Sequence, residues 1–367
     1  MSGKRWLSLV LAMMLVLSIG YAQAGKRLTM KEIQAATEGM SDEELRSWCA
    51  ERYAASVHSD PAEIPWPDNR QEDGYLPEGE FVHEDPEKGL WAYLSDSLQV
   101  IIVKHQLPEI PHTWFEAEVI FKPEEEIFTQ HVYVNAKFKG QQIWPETLAQ
   151  TSRIIFAVNG DYHDDRVSQK RPTGNIIRQG VAMYNHNPKR SLVFPNLDTL
   201  AIRNDGSFQV FAGDEITADE LLAEASPEDP AFVHDALSFG PYLVRDGKIR
   251  FYDGKNAENP EPRSAYGMIA PGHLFFVMAE GKMPKKTEEQ GMDLWELAEL
   301  MYARGCTEAM NVDGGSTATM IFMGERLHRT GKGIGKSLGS PRNQFELFGI
   351  GESELVHTDK VDGPKKK

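Results

Sequence analysis

The sequence predicts an α+β (mixed α/β) fold: a single strand-rich domain with a few packed helices, plus a small helical or irregular N-terminal region. Three observations carry that prediction. Runs such as "QVIIVK" (residues 99–104) and "WFEAEVIF" (114–121) are rich in β-branched and aromatic residues. Further runs flank Asn204-Asp205-Gly206 and Asp246-Gly247, residue types that suit the left-handed backbone of tight hairpin turns. Helix signals are few and widely spaced.

Taken in order, the chain opens with Lys4 and Arg5, an apolar run at 6–19, and Ala22-Gln23-Ala24, a small-x-small cleavage pattern. The run is shorter than the roughly 20 apolar residues of a membrane-spanning helix. Residues 1–24 therefore read as a signal peptide. The expected location is secreted or periplasmic, with no membrane insertion after cleavage. Ser41 and Glu44 have capping-box spacing, so a helix is expected from there to about Ala55. Proline and acidic residues crowd positions 60–88, which read as linker, and a boundary is expected near Trp91. The main domain then occupies 92–355, and a charged tail 356–367. Within the domain, "IIFAV" (154–158) is a continuous apolar run of the kind shown by a strand buried on both faces. Thr217 and Glu220 cap a short helix. Asp293 caps another whose Leu294, Leu297, Ala298 and Met301 share one face, with Gly305 as its stop. A strand follows at 308–312.

The 367 residues include 39 basic and 55 acidic ones, a net charge of −16. Without Lys4 and Arg5 the balance is 37 against 55, or −18. Such a surface disfavours nucleic acid and anionic membranes as partners. A negatively charged substrate would need local cations. Cys49 and Cys306 form no disulfide framework and fit either one bridge or two buried thiols. No His-x-x-x-His or paired-cysteine spacing supports zinc, so no metal or other cofactor is expected.

Chemistry-bearing residues gather where strands stop. Asp313-Gly314-Gly315 ends the strand at 308–312 and leads into Ser316, Thr317 and Thr319. Glycines there admit positive φ and bring bare N–H groups up to a ligand; a tight turn gives the same pattern. Asn159-Gly160-Asp161 ends "IIFAV" in the same way, followed by His163, Asp164 and Asp165. The last two fit a solvated acidic loop. Pro262-Arg263-Ser264 joins a planar guanidinium, suited to carboxylate or phosphate, to a hydroxyl. "SFGPYLV" (238–244) contributes Gly240-Pro241, by itself a turn. "TGKGIGKSLG" (330–339) imitates a phosphate loop but carries Thr330 where the first glycine belongs, and it opens no helix.

The order of these motifs ("VNGDY", "SFGPYLV", "PRSAYG", a strand ending in "AEGK", the capped helix, "NVDGG") resembles the phosphodiester glycosidase family over residues 114–351, with the secreted bacterial branch most alike. The resemblance implies a hydrolase; the family's best-known activity removes N-acetylglucosamine from a sugar-1-phosphodiester. The family's Asn-Gly falls on Asn159-Gly160, its Pro-Arg-Thr on Pro262-Arg263-Ser264, and its Asp-Gly-Gly on Asp313-Gly314-Gly315. Three places depart from it. Glu280-Gly281-Lys282 stands for Asp-Gly-Arg, Ser264 for threonine, and Ser316 and Thr317 for the following glycine and serine.

Those roles imply a pair of opposite charges. A phosphate monoester leaving an anomeric carbon is a weak base, its conjugate acid having a pKa of about 6, so it needs a cation more than a proton. Arg263 is the expected clamp, assisted by Lys282 or Arg178, with the Gly314 and Gly315 N–H groups as further donors. The oxocarbenium-like transition state asks for a carboxylate: Asp313 first, with Asp161 or Glu280 as second acid. Asn159, Gly160, Ser264, Gly240, Ser316 and Thr317 complete the expected substrate-binding set. The expected partner is a sugar-phosphate or glycopolymer substrate. Two other classes stay open: a non-catalytic glycan-binding protein, and a metal-dependent phosphodiesterase using His163 and Asp161.

Overall fold

A computed structural model describes residues 27–107, 111–122, 132–134, 141–186, 197–284, 289–331, 339–359 and 361. The expected signal peptide, most of "TGKGIGKSLG" and most of the tail lie outside the described residues. Among those residues every strand pairing is antiparallel, which makes the class α+β.

The largest sheet has nine strands: β1 (Phe81–Asp85), β2 (Leu90–Leu94), β3 (Leu98–Leu107), β4 (His112–Phe121), β15 (His273–Ala279), β14 (Arg263–Ala270), β16 (Glu308–Asn311), β12 (Tyr242–Arg245) and β13 (Lys248–Ile249), in that order. A five-stranded sheet runs β10 (Phe208–Phe211), β9 (Asp198–Arg203), β11 (Val233–Phe239), β7 (Ile176–Arg178), β8 (Val181–Tyr184). A second five-stranded sheet runs β18 (Glu325–Arg326), β17 (Met320–Phe322), β6 (Ile154–Asn159), β19 (Glu346–Glu352), β5 (Val132–Val134). The helices are α1 (Met30–Thr37), α2 (Asp42–Tyr53), α3 (Pro145–Thr151), α4 (His163–Ser168), α5 (Ala218–Ala223) and α6 (Leu294–Ala303).

The two-residue period of a strand sorts the large sheet's side chains onto two cores. On β15, Leu274, Phe276 and Met278 enter one core with Ile155, Phe156 and Val158 of β6 and Leu200 and Ile202 of β9. Phe275, Val277 and Ala279 enter another with Trp295, Leu297, Ala298 and Met301 of α6 and Trp48 and Cys49 of α2. The large sheet is therefore a middle layer, with helices on one face and the two smaller sheets on the other. Truncating Phe276, fully buried at the centre, to alanine would cost about 3–5 kcal/mol.

Both hairpins form as expected, and Asp293 caps α6 through the N–H groups of Trp295 (2.9 Å) and Glu296 (2.8 Å). Ser41 caps α2, which runs to Tyr53. The boundary expected near Trp91 falls inside β2, and β1 and β2 belong to the large sheet. The residues read as an acidic loop instead begin α4. The N-terminal helices dock on α6, where Arg52 Nε meets Glu299 Oε2 at 2.7 Å and the Tyr53 hydroxyl donates to the same oxygen at 2.9 Å. Cys49 and Cys306 are buried free thiols.

Antiparallel register gathers the motifs. The start of β14 lies between the ends of its neighbours, with Arg263 opposite Ala279 of β15 and Ala265 opposite Asn311 of β16. Tyr242, at the start of β12, pairs with Met310. One edge of the sheet thus collects residues 262–264, 280–282, 240–242 and 313–315, segments scattered over 70 residues and more of sequence.

Candidate active site

Asn159 ties these segments together. Its Nδ2 donates to the Asp313 carbonyl at 2.8 Å and to the Gly160 carbonyl at 3.0 Å. Its Oδ1 accepts from Ser264 Oγ at 2.7 Å and the Thr319 N–H at 2.9 Å, and its carbonyl accepts from the Tyr266 hydroxyl. Asn159 and Ser264 were expected to hold sugar hydroxyls; each is fully buried and spends its hydrogen bonds on the other strand ends. Gly314 must be glycine for close approach, because a Cβ there would sit 2.4 Å from the Pro262 carbonyl. Gly315 donates its N–H to that carbonyl at 2.9 Å, so this donor is turned to the protein and not to a ligand. The Gly240 N–H donates to the Asn311 carbonyl at 3.0 Å, and its own carbonyl accepts from Asn311 Nδ2 at 2.8 Å.

The structure separates the two strand-end acids. Asp161 is wholly buried. Its Oδ1 takes the His163 N–H (3.1 Å) and Nδ1 (3.0 Å), its Oδ2 the Ser238 N–H (3.0 Å), and Arg178 Nη2 lies 3.4 Å from both oxygens. Burial pushes its pKa up, but Arg178 and His163 outweigh burial and hold it well below the usual carboxylate range. Burial opposes charge on His163 as well, yet Asp161 and Glu346 raise it to about 9. Arg178 also binds Glu346, with Nε to Oε2 at 3.0 Å, and the carbonyl of Ala236 at 2.6 Å. Asp161, His163 and Glu346 each place one ligand atom within 4.8 Å of the others, the spacing a metal would need. Arg178 already brings a cation to the same oxygens, and this guanidinium is committed there.

Asp313 differs. Its side chain is 17 % exposed and Arg342 Nη1 stands 3.3 Å from Oδ2. Arg342 Nη1 also donates to Thr317 Oγ1 at 2.8 Å, its N–H donates to the Ser316 carbonyl at 2.8 Å, and its guanidinium lies 4.8 Å from the ring centre of Tyr162. Burial raises the Asp313 pKa, and Arg342, the Thr317 hydroxyl and Arg166 counter that rise in part. Tyr162 has φ 52°, a left-handed conformation rare for a bulky residue and typical of sites where backbone strain serves position. Arg166 is buried, donating to the carbonyls of Asp161 (2.9 Å) and Ser238 (2.7 Å).

Three expected members point elsewhere. Arg263 precedes Ser264 on one strand, so the two face opposite sides of the sheet. The Arg263 guanidinium runs toward the α6 side, where it donates to the carbonyls of Met292 (3.1 Å) and Asn259 (2.8 Å). Glu280 is buried and held by the Arg329 N–H (2.7 Å), Nε (2.8 Å) and Nη2 (2.7 Å). Lys282 pairs with Glu261. The cation beside Asp313 is Arg342, which sequence reading missed. Its signal was present: Pro341-Arg342 repeats the Pro-Arg pattern singled out at Arg263.

A sequence profile of the phosphodiester glycosidase family matches residues 152–344, a span that runs from just before Asn159 to just past Arg342. The chain belongs to the phosphodiester glycosidase family. Among relatives of this family, N-acetylglucosamine-1-phosphodiester alpha-N-acetylglucosaminidase of Mus musculus is 27 % identical over 194 residues, 49 % of this chain and 34 % of that protein. The Homo sapiens protein of the same name is 29 % identical over 194 residues, again 49 % of this chain and 34 % of its own length. The chain thus spans about a third of these relatives' length. The solved catalytic domain of the zebrafish protein of that name, described as auto-inhibited by its pro-peptide, aligns with a TM-score of 0.47 and 19 % identity, over 81 % of this chain and 88 % of that one. No helix among the described residues is long and apolar enough to cross a membrane.

Proposed function

We propose that this protein is an exported hydrolase that cleaves the anomeric C–O bond of a sugar-1-phosphodiester, with an N-acetylglucosamine-like sugar, and that Asp313 and Arg342 carry the reaction. The observation behind this reading is their contact: a carboxylate and a guanidinium 3.3 Å apart, both partly exposed, where the family's motifs meet. The reaction develops positive charge at C1 and negative charge on a phosphate attached to it through one oxygen. A site built for it needs opposite charges a few ångströms apart. Asp313 stabilises the oxocarbenium-like carbon. Arg342 takes the phosphate oxygens, in the role expected of Arg263, and the fixed charge of Arg166 supports it. As C1–O breaks, the electron pair stays with the phosphate monoester; water adds its oxygen to C1 and releases a proton to solvent. Thr317 holds Arg342 in place, and Tyr162 covers the guanidinium face. Asp161 and Asn159 shape the floor from below. Export rests on Lys4, Arg5, the apolar run and Ala22-Gln23-Ala24.

Hydrolysis of a methyl phosphodiester of α-N-acetylglucosamine-1-phosphate in oxygen-18 water tests the reading. The label is expected on the sugar. Label on the phosphate would mean P–O cleavage and an ordinary phosphodiesterase, which would sink it.

A further inference from the structure

A cavity of about 380 Å³ is lined by Trp144, Glu146, Thr147, Glu325, Arg326 and His328. That volume is in the range of small-molecule sites, about 300–1,000 Å³. Backbone pairing next to Trp144 links this lining to the strand that follows Arg342. Ile143 and Gln344 exchange backbone hydrogen bonds at 3.0 and 2.8 Å, two residues from Arg342, and Gln142 Nε2 donates to the Tyr162 hydroxyl at 3.2 Å. Trp144 is 47 % exposed, a large apolar surface with no packing reason to face solvent.

Two buried atoms in this lining lack a hydrogen-bond partner. Glu146 Oε1 meets Arg326 Nε at 3.3 Å, which leaves Oε2 buried without a donor. His328 Nδ1 lies 3.0 Å from the Arg329 carbonyl, which can only accept; the ring proton therefore sits on Nδ1, and Nε2 is a bare acceptor, buried and unpartnered. Burial and the nearby Arg326 depress His328 to about 3, so the ring is neutral at pH 7. An unmet acceptor in a buried setting is costly, and a ligand donor that reaches it recovers that cost. Phosphate and carboxylate ligands bring acceptors, and Glu146 and Glu325 repel them. Sugar hydroxyls bring donors, and the C–H face of a pyranose ring stacks on an exposed indole.

We propose that this cavity is a second carbohydrate subsite that takes a neutral pyranose, so that the substrate is an oligosaccharide or glycopolymer rather than a single sugar phosphodiester. The link to turnover rests on the function proposed above; the binding itself does not. Calorimetric titration of the full chain carrying Asp313→Asn, which removes turnover, tests it with N,N′-diacetylchitobiose, cellobiose, maltose, glucosamine and inorganic phosphate as probes. At least one neutral disaccharide is expected to bind at millimolar concentration; Trp144→Ala, at unchanged melting temperature, and Glu146→Ala are each expected to weaken it about tenfold or more. Three results would overturn the subsite: no neutral disaccharide binds, binding survives both substitutions, or only phosphate or glucosamine binds. The oxygen-18 result is independent of all three, so failure of the subsite and failure of the proposed reaction remain distinguishable.

Discussion

Asp161 and Asp313 come from the same sequence pattern, an apolar strand ending in an acid beside glycine, and the fold makes opposite things of them. Asp161 has four donors on two oxygens and no exposure, and its pKa is driven down. Asp313 has one arginine, partial exposure and a raised pKa. A carboxylate saturated by its own protein has no capacity left for a substrate. One that is partly exposed and paired at a single oxygen keeps capacity for a reacting carbon. The difference separates a residue saturated by the fold from the one proposed above to act on substrate.

The comparison can be broken by substitution. Asp313→Asn should lower kcat/KM by about 10²–10⁴-fold with an unchanged melting temperature; a variant with full activity would erase the distinction. Asp161→Asn should act the other way round, costing about 3–5 kcal/mol of stability by leaving Arg178 and His163 with Glu346 alone as counter-charge, read from the denaturant midpoint. Arg342→Gln should lower kcat/KM by about 10²–10³-fold, as loss of a preorganised cation does. It should also move the acid limb of the pH–rate profile upward, because removing a cation from beside Asp313 raises the pKa further. A limb that stays in place would show that Arg342 does not face the ionising group.

The smallest effect sharpens the floor's side of the contrast. His163 rises from its ordinary 6.5 to about 9 in the fold, so its contribution to stability is complete below about 6.5 and disappears as pH climbs through about 9. Burial opposes the charge on His112 as well, but Glu289 and Glu296 raise it to about 9, and it adds the same slope. Urea midpoints measured from neutral pH to pH 9 should fall, and His163→Gln should flatten the fall without abolishing it. An equal slope in that variant would mean that the cluster around Asp161 is not charged as described.

Much of this was legible in the chain because it depends on local rules. The hairpins at 204–206 and 246–247, the caps at Ser41, Thr217 and Asp293, and the buried β6 follow from residues within a few positions of one another. The meeting of the glycine-flanked strand ends was legible as an expectation, since each motif ended a strand. Side-chain direction was not. Arg263 and Ser264 are neighbours in sequence, and only the pairing of β14 shows which of the two faces Asn159. Arg342 carries the Pro-Arg pattern of 341–342, but that pattern says nothing of its neighbours; packing on Tyr162 and Thr317 sets it at Asp313. The surroundings of Asp161 and Glu280, expected as the second acid, were not legible for a related reason: a buried acid's partners, Arg178 and Arg329, lie 17 and 49 residues away.

Asn159 precedes Gly160, and asparagine followed by glycine is the pair whose next backbone nitrogen most readily attacks the side-chain amide, closing a succinimide and releasing ammonia. Here that amide is clamped on both its nitrogen and its oxygen inside a closed core. The fold therefore shelters its most perishable bond at the point on which the alignment of Asp313 depends. Ageing of this protein should start only when β6 frays, with a one-dalton gain at Asn159 as its first chemical mark.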